Sequence, residues 1–385
     1  MKIKRVLIKG IVLSLLISLP QVAGCLKPGI DQSENEQPSF AGLEHLFKTP
    51  RHYVACYTDE SPVIDGNIAD AVWDNALWSE QFHDIEGDLK KEPPLSTRMK
   101  MLWDNQYLYI AVEMEEPHVW AYLQQHDDIV YHDNDFEVFI DPVNSTHNYF
   151  EIEINARNTI LDLFMTKPYR NGGGALLSWN AVGLKSAVQV YGSLNKPDDT
   201  DKRWTVEMAI PISAVTMHNS SVLPSDGRIW RINFSRVVWH TDIVDGKYVK
   251  RKDQSGRNLP EENWVWSPQG VINMHYPERW GYLQFSKQTN PSETPAFVLP
   301  YGEKQRQYLW LVYYRQKEFL RKNRHYAPTL ADLGITQHVF DIEGKKNTLT
   351  MEATGRLFSA VIESAESRVS INDEGLTSVI NYRIY

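Results

Sequence analysis

The chain is poor in cysteine. It has two in 385 residues, Cys25 and Cys56. Cys25 lies in a targeting segment, so Cys56 is left without a partner and a disulfide framework is excluded. Cys56 sits in the strand-like run HYVACYT and reads as a small buried hydrophobe. Also missing are a Gly-x4-Gly-Lys phosphate loop, a Cys pair or His-Glu-x-x-His zinc signature, and a Gly-x-Ser-x-Gly nucleophile elbow. The three glycines at 172–174 lack the strand-to-helix context of a nucleotide site. No Lys/Arg-rich run follows the N-terminal segment, and the formal charge is −9, which argues against nucleic acid as a partner.

The N-terminus carries an address rather than a fold. Lys2, Lys4, Arg5 and Lys9 make a positive start, and residues 11–19 form an apolar run too short to span a bilayer. The segment ends in Val22-Ala23-Gly24-Cys25, which resembles a bacterial lipobox. We therefore expect a signal peptide over 1–24, lipidation at Cys25, and a polar, flexible tether over 25–45. The expected location is the bacterial cell envelope, on the outer membrane or periplasmic side. Contact with the membrane is through the lipid anchor only.

Aromatic residues are plentiful, with 12 Trp and 19 Tyr. A buried Trp needs a partner for its N–H, so most should fill core and a few could face a ligand. From residue 53 short strands follow one another. Residues 68–78 (IADAVWDNALW) have the apolar spacing of a short helix. Residues 97–103 and 107–114 read as strands around an Asp104-Asn105 turn, and 184–191, 203–210 and 228–238 as further strands. About ten strands with few helices imply a mainly β chain built on an antiparallel β-sandwich, assigned to 46–288. A Pro-containing linker follows at 289–300. Residues 301–385 read as a small α+β module, with an amphipathic helix over 303–322, a short second helix over 327–333, and small strands after it. It carries no catalytic pattern, and its expected roles are packing or docking an envelope protein partner.

The densest chemistry lies in HDNDFEVFIDPVNSTHNYFEIEINA, residues 132–156. Period-two alternation puts Phe136, Val138 and Ile140 on one face and Asp135, Glu137 and Phe139 on the other. In the next strand Phe150, Ile152 and Ile154 oppose Glu151, Glu153 and Asn155. Pairing these strands crowds up to four carboxylates on one face, where like charges repel. An arginine, a bound cation or sugar hydroxyls would relieve this, unless the face is simply solvated. Asp127, Asp128, Asp133 and Asp135 are candidates for a structural calcium, the metal that an oxygen-rich set suits. Otherwise no cofactor is expected. Glu137 and Glu151 are the pair a glycoside hydrolase would use.

The runs DGNIADAVW, LWDNQYLYIAVEM, DNDFEVFIDP with HNYFEIEINA, KPYRNGG and WVWSPQGVINMHYPERWGYLQF together resemble the family 9-like carbohydrate-binding proteins, relatives of modules attached to xylanases. The likeness covers roughly 53–285. It implies a β-sandwich that binds sugar without catalysis of its own. In the xylanase modules two tryptophans clamp a sugar that a glutamate and an arginine hold by hydrogen bonds. The resemblance places that glutamate at Glu137 and the later tryptophan at Trp266. The first tryptophan's place falls to His132, with Tyr131 adjacent, and the arginine's falls near Glu153. The expected carbohydrate site is thus Glu137, Trp266 and Asn155, surrounded by Tyr131, His132, Trp239, Arg170 and Glu151. The rival readings are the hydrolase and a structural lipoprotein docking through 301–385.

Metabolic labelling with a palmitate analogue should mark the wild-type chain and leave Cys25→Ala unmarked. Equal labelling of both would remove the lipid anchor from the account.

Overall fold

The computed structural model describes residues 36–293 and 296–382. The expected signal peptide, Cys25 and most of the tether lie outside the described residues. Thirteen strands join in one hydrogen-bonded sheet. They are β1 (His52–Tyr57), β2 (His83–Asp84), β3 (Thr97–Trp103), β4 (Tyr107–Glu115), β5 (Asp135–Asp141), β6 (Tyr149–Asn155), β7 (Ile160–Met165), β8 (Ala175–Leu176), β9 (Lys185–Tyr191), β10 (Arg203–Pro211) and β11 (Ile229–Val238), then β14 (Glu262–Val265) and β15 (Gly281–Ser286). A separate hairpin, β12 (Thr241–Val244) with β13 (Lys247–Lys250), stands in the polar stretch between β11 and β14. The strand order is β8-β7-β6-β5-β11-β15-β1-β3-β4-β10-β9, with β14 also on β11 and β2 on β14. Pairing is antiparallel except at β1, which runs parallel to both β15 and β3.

The sheet curls so that its two halves face each other across one core. The alternation in β5 and β6 decides which side points inward. Phe136, Val138, Ile140, Phe150, Ile152 and Ile154 join Met99, Ile110, Val112 and Met208 in a single buried cluster. Each such side chain contributes about 1.5–3 kcal/mol through burial. Arg236 also points inward, 1% exposed, where Glu116 Oε2 at 3.0 Å and Thr97 Oγ1 at 2.9 Å satisfy its guanidinium.

The helix expected over 68–78 is only a 3-10 turn, Ala71–Asn75. Side chains capture the backbone first: Asp65 accepts from the Asn67 N–H and Asn67 from the Ala69 N–H. Glu207 then anchors the segment, accepting from Trp73 Nε1 at 2.7 Å and from the Gly66 N–H at 2.8 Å. Gly66 has φ +90°, and a Cβ there would meet Gln189 N at 2.8 Å, so the turn needs glycine.

After the sandwich comes α2 (Tyr301–Asn323), packed on a five-stranded antiparallel sheet of β16 (Val339–Ile342), β17 (Lys345–Ala353), β18 (Phe358–Glu363), β19 (Ser367–Asn372) and β20 (Thr377–Asn381). An earlier five-residue helix, α1 (Ile212–Thr216), caps β10. The short helix expected over 327–333 is a 3-10 turn of three residues, Ala331–Leu333. Two stretches expected to be loose are packed. Phe40 lies 4.4 Å from Phe47 and 5.4 Å from Tyr308, and Gln37 bridges Tyr308 and the Asp341 carbonyl. In the linker, Phe297 stacks on His52 at 4.5 Å.

The helical module is docked on the sandwich by buried charge. Glu303 accepts from Arg231 at 2.8 Å, Arg306 at 2.7 Å, Asn144 at 2.8 Å and Tyr282 at 3.1 Å. Burial would raise its carboxyl, but the two guanidinium groups outweigh that and hold it below its ordinary value. Beside it Arg170 holds Glu278 through two 2.8 Å bonds, and Tyr314 donates to Glu278 at 2.6 Å. Removing one partner of such a set strands the others in a dry interface, a change that costs about 3–5 kcal/mol. This face of the module therefore serves the chain's own sandwich.

Candidate functional site

On the side of β5–β6 away from the core, the structure opens a cleft of about 1660 Å³. Its floor comes from the polar face of the hairpin: Glu137, Phe139, Glu151 and Glu153. The loop 90–95 and residues 259–264 form walls, and Tyr131, His132, Tyr169, His240 and His275 stand around it. Tyr131 is 38% and Tyr169 47% exposed, so both present ring surface to a ligand.

Register creates the charge crowding. Glu137 lies directly opposite Glu153, Phe139 opposite Glu151, and Asp135 opposite Asn155. Asp135, Glu137 and Glu153 each offer a carboxylate oxygen within 4.8 Å of the others. All are buried: Asp135 is 0% exposed, and Glu137, Glu151 and Glu153 at most 5%. Glu153 accepts from the Tyr131 N–H at 2.9 Å. Both Asp135 oxygens, Glu137 Oε2 and Glu151 Oε2 have no hydrogen-bond partner among the described residues. Burial, and secondarily their mutual repulsion, pushes Asp135, Glu137 and Glu151 well above the ordinary carboxylate range. Burial raises Glu153 to about 7, against the opposing Tyr131 bond. His275 approaches Glu151 at 3.9 Å but offers little charge, because burial, helped by Arg170, lowers it to about 4.

Of the expected site residues, Glu137, Glu151, Tyr131 and His132 come together here. Four others do not. Trp266 is 0% exposed in the core, edge-on to Phe234 at 6.0 Å. Alternation around β14 sends Trp264 and Trp266 inward, and Gly281 lies under the Trp266 ring: a Cβ there would sit 2.2 Å from Cζ3. Trp266 cannot be a sugar platform. Asn155 is also 0% exposed, because the loop before β5 closes over it. Its amide donates to Leu123 O at 3.1 Å and Asp133 at 3.0 Å, and its oxygen accepts from the Arg157 and Thr159 N–H groups. Arg170 is held by Glu278 and Tyr313 at the module interface. Trp239 stands outside the cleft lining, its N–H on Tyr131 O at 2.8 Å and one ring face under Lys250 at 3.3 Å.

The calcium candidates also separate. Asp128 accepts the Gln124 and Gln125 N–H groups, and Asp133 those of Tyr122 and Leu123, so both serve loop geometry. Asp127 falls in a second cluster with His126 and Asp162. Asp135 alone joins the cleft group. Sequence reasoning placed Glu153 on the crowded face but left it out of the expected carbohydrate site, and it missed Tyr169, His240 and His275. Glu153 shares its strand parity with Glu151, which could have identified it, whereas the others reach the cleft from distant loops.

The chain is thus a β-sandwich with an acidic, tyrosine-rimmed cleft on the polar face of one hairpin. The profile of the family described as carbohydrate family 9 binding domain-like matches residues 64–258, just over half of the chain. The chain belongs to that family. Similar solved structures include a candidate carbohydrate-binding protein from Bacteroides uniformis, with 16% identity, TM-score 0.45, and 62% of this chain and all of that one covered. Two others are structures of a family 9 carbohydrate-binding module from Caldicellulosiruptor kristjanssonii. The cellotriose complex has 16% identity and TM-score 0.38, covering 64% of this chain and all of that one. The glucose complex has 16% identity and TM-score 0.37, covering 65% and 100%. No curated protein matches the chain. Membership rests on the profile, since the structural likenesses are too loose to carry more.

A raised carboxyl binds its proton more tightly folded than unfolded, so Glu153 lowers stability as pH climbs from its ordinary 4.5 to about 7. The raised values of Asp135, Glu137 and Glu151 extend the loss upward. Tyr131, Tyr169 and Glu261 add negative or neutral groups around them, and His275 stays neutral above about pH 5. In metal-free buffer, melting curves should show Glu153→Gln gaining on wild type between pH 5 and pH 8. A constant difference across that range would contradict the raised value.

Proposed function

We propose that this chain is a non-catalytic, lipid-anchored protein of the bacterial cell envelope that binds an oligo- or polysaccharide in the β5–β6 cleft. The observation that carries the reading is the cleft itself. Buried carboxylates and half-exposed tyrosines line one large concavity on the polar face of a carbohydrate-binding family fold. Carboxylates accept from sugar hydroxyls through charge-assisted bonds, and tyrosine rings pack on the C–H face of a pyranose. The platform role expected of Trp266 passes to Tyr131 and Tyr169. The anchor is supported by the order of charge, apolar run, small residues and Cys25 at the N-terminus.

Hydrolysis by Glu137 and Glu151 is less well supported. Both stand on adjacent strands of one floor, whereas a glycosidase sets two carboxyl groups on either side of the scissile bond.

On a glycan panel, the full chain should retain at least one polysaccharide and release no reducing ends. Tyr131→Ala should weaken that binding by about 1–2 kcal/mol, roughly 5- to 30-fold, in calorimetry. Trp266→Ala should instead lower the melting temperature, as a core deletion costing about 3–5 kcal/mol. Released reducing ends would favour a hydrolase. Full-strength binding by Tyr131→Ala would move the site elsewhere.

A further inference from the structure

The carboxylates on the cleft floor lack the cationic partner that burial demands. Glu137 and Glu153 are paired across two strands, and Asp135 stands one pleat away on the same face. The Arg236 guanidinium one register step along β11 turns the other way, into the core and onto Glu116. Beyond the crowding itself there is an independent sign of a missing ligand. Asp135 is 0% exposed, and neither of its oxygens has a hydrogen-bond partner among the described residues. Glu137 Oε2 is in the same condition at 5% exposure. Buried ionisable groups left so are costly unless paired or bound to a metal.

We propose that Asp135, Glu137 and Glu153 hold a divalent cation of the calcium class, whose remaining coordination positions face the cleft and accept vicinal sugar hydroxyls. The donor chemistry selects the ion. Three carboxylates with no thiolate suit a hard cation. All three oxygens lie within 4.8 Å of one another, close enough to share one ion at the roughly 2.3–2.6 Å that calcium takes. Calcium takes about 6–8 oxygens, so three carboxylates leave room for ligands from the cleft, with Glu151 nearby as a further donor. The hydroxyl-bridging half of the proposal rests on the cleft being the carbohydrate site; the cation half does not.

Calorimetric titration of the metal-stripped full chain with calcium chloride tests the cation half without any sugar. Saturable binding in roughly the 10⁻⁵–10⁻³ M range is expected. Asp135→Asn and Glu153→Gln should each weaken it at least about tenfold, and Asp127→Asn in the separate His126 cluster should not. Both cleft variants remove repulsion, so their melting temperatures in EDTA should equal or exceed that of wild type, which separates lost ligation from lost folding. Manganese added to wild type should broaden amide signals of residues 135–137 and 153, locating the ion without any variant. No saturable binding up to about 10 mM, or binding unchanged in both cleft variants, overturns the site. For the bridging half, retention on the best glycan should fall about tenfold in EDTA and return with calcium. Retention indifferent to EDTA overturns bridging while leaving the cation half standing, and failure to retain any glycan overturns bridging together with the carbohydrate reading. Calcium binding is read separately in every case.

Discussion

Four carboxylates buried side by side on one β-hairpin set the problem that this part of the molecule is arranged around. Glu137 and Glu153 meet across the ladder, Asp135 and Glu151 flank them, and solvent reaches none of them freely. Such a face is destabilising at neutral pH. It persists because the opposite faces of the same strands bury Phe136, Val138, Ile140, Phe150, Ile152 and Ile154 in the main core. The hydrophobic effect of one face thus holds the other in an unfavourable arrangement. Local strain of that kind is expected where a ligand, rather than the chain, completes the site.

The rest of the chain supplies what the hairpin lacks. Residues on β11, β14 and the loops 90–95 and 259–264 raise walls around the floor, so Glu137, Glu151 and Glu153 face a cleft rather than open solvent, with Asp135 buried beside them. The helical module docks next to this region. Its Glu303 is buried between Arg231 of the sandwich and its own Arg306, while Arg170 leaves the cleft rim to hold Glu278 beneath Tyr314. Tyr169, adjacent to Arg170, is positioned at the cleft by the same loop. One loop thus carries a cleft residue, Tyr169, and a module contact, Arg170, and no helix of the module lines the cleft.

Much of the fold was legible because period-two alternation is a local signal. β5 and β6 have the faces that their alternation implies, and β3, β4 and β11 fall within a residue of the expected bounds. The helix over 68–78 failed because Asp65, Asn67 and Glu207 capture the backbone, and Glu207 is distant in sequence. The site was half legible. Glu137, Glu151, Tyr131 and His132 lie on the hairpin or just before it, so parity and adjacency suffice to group them. Trp266 and Asn155 failed for a tertiary reason. The close approach of Gly281 makes a pocket for one ring, and the loop ending at Asp133 covers the other residue. Nothing local to either residue shows it. The residue types in a family's binding pattern can therefore survive while their surroundings reassign them to packing.

The functional reading rests on sugar binding over the β5–β6 carboxylates. Hydrogen exchange on the full chain, with and without a saturating glycan, tests it most directly. Added protection is expected at residues 131–139, 149–153 and 90–95, with 301–382 unchanged. Protection confined to 301–382, or to the opposite half of the sandwich around β9 and β10, would contradict it.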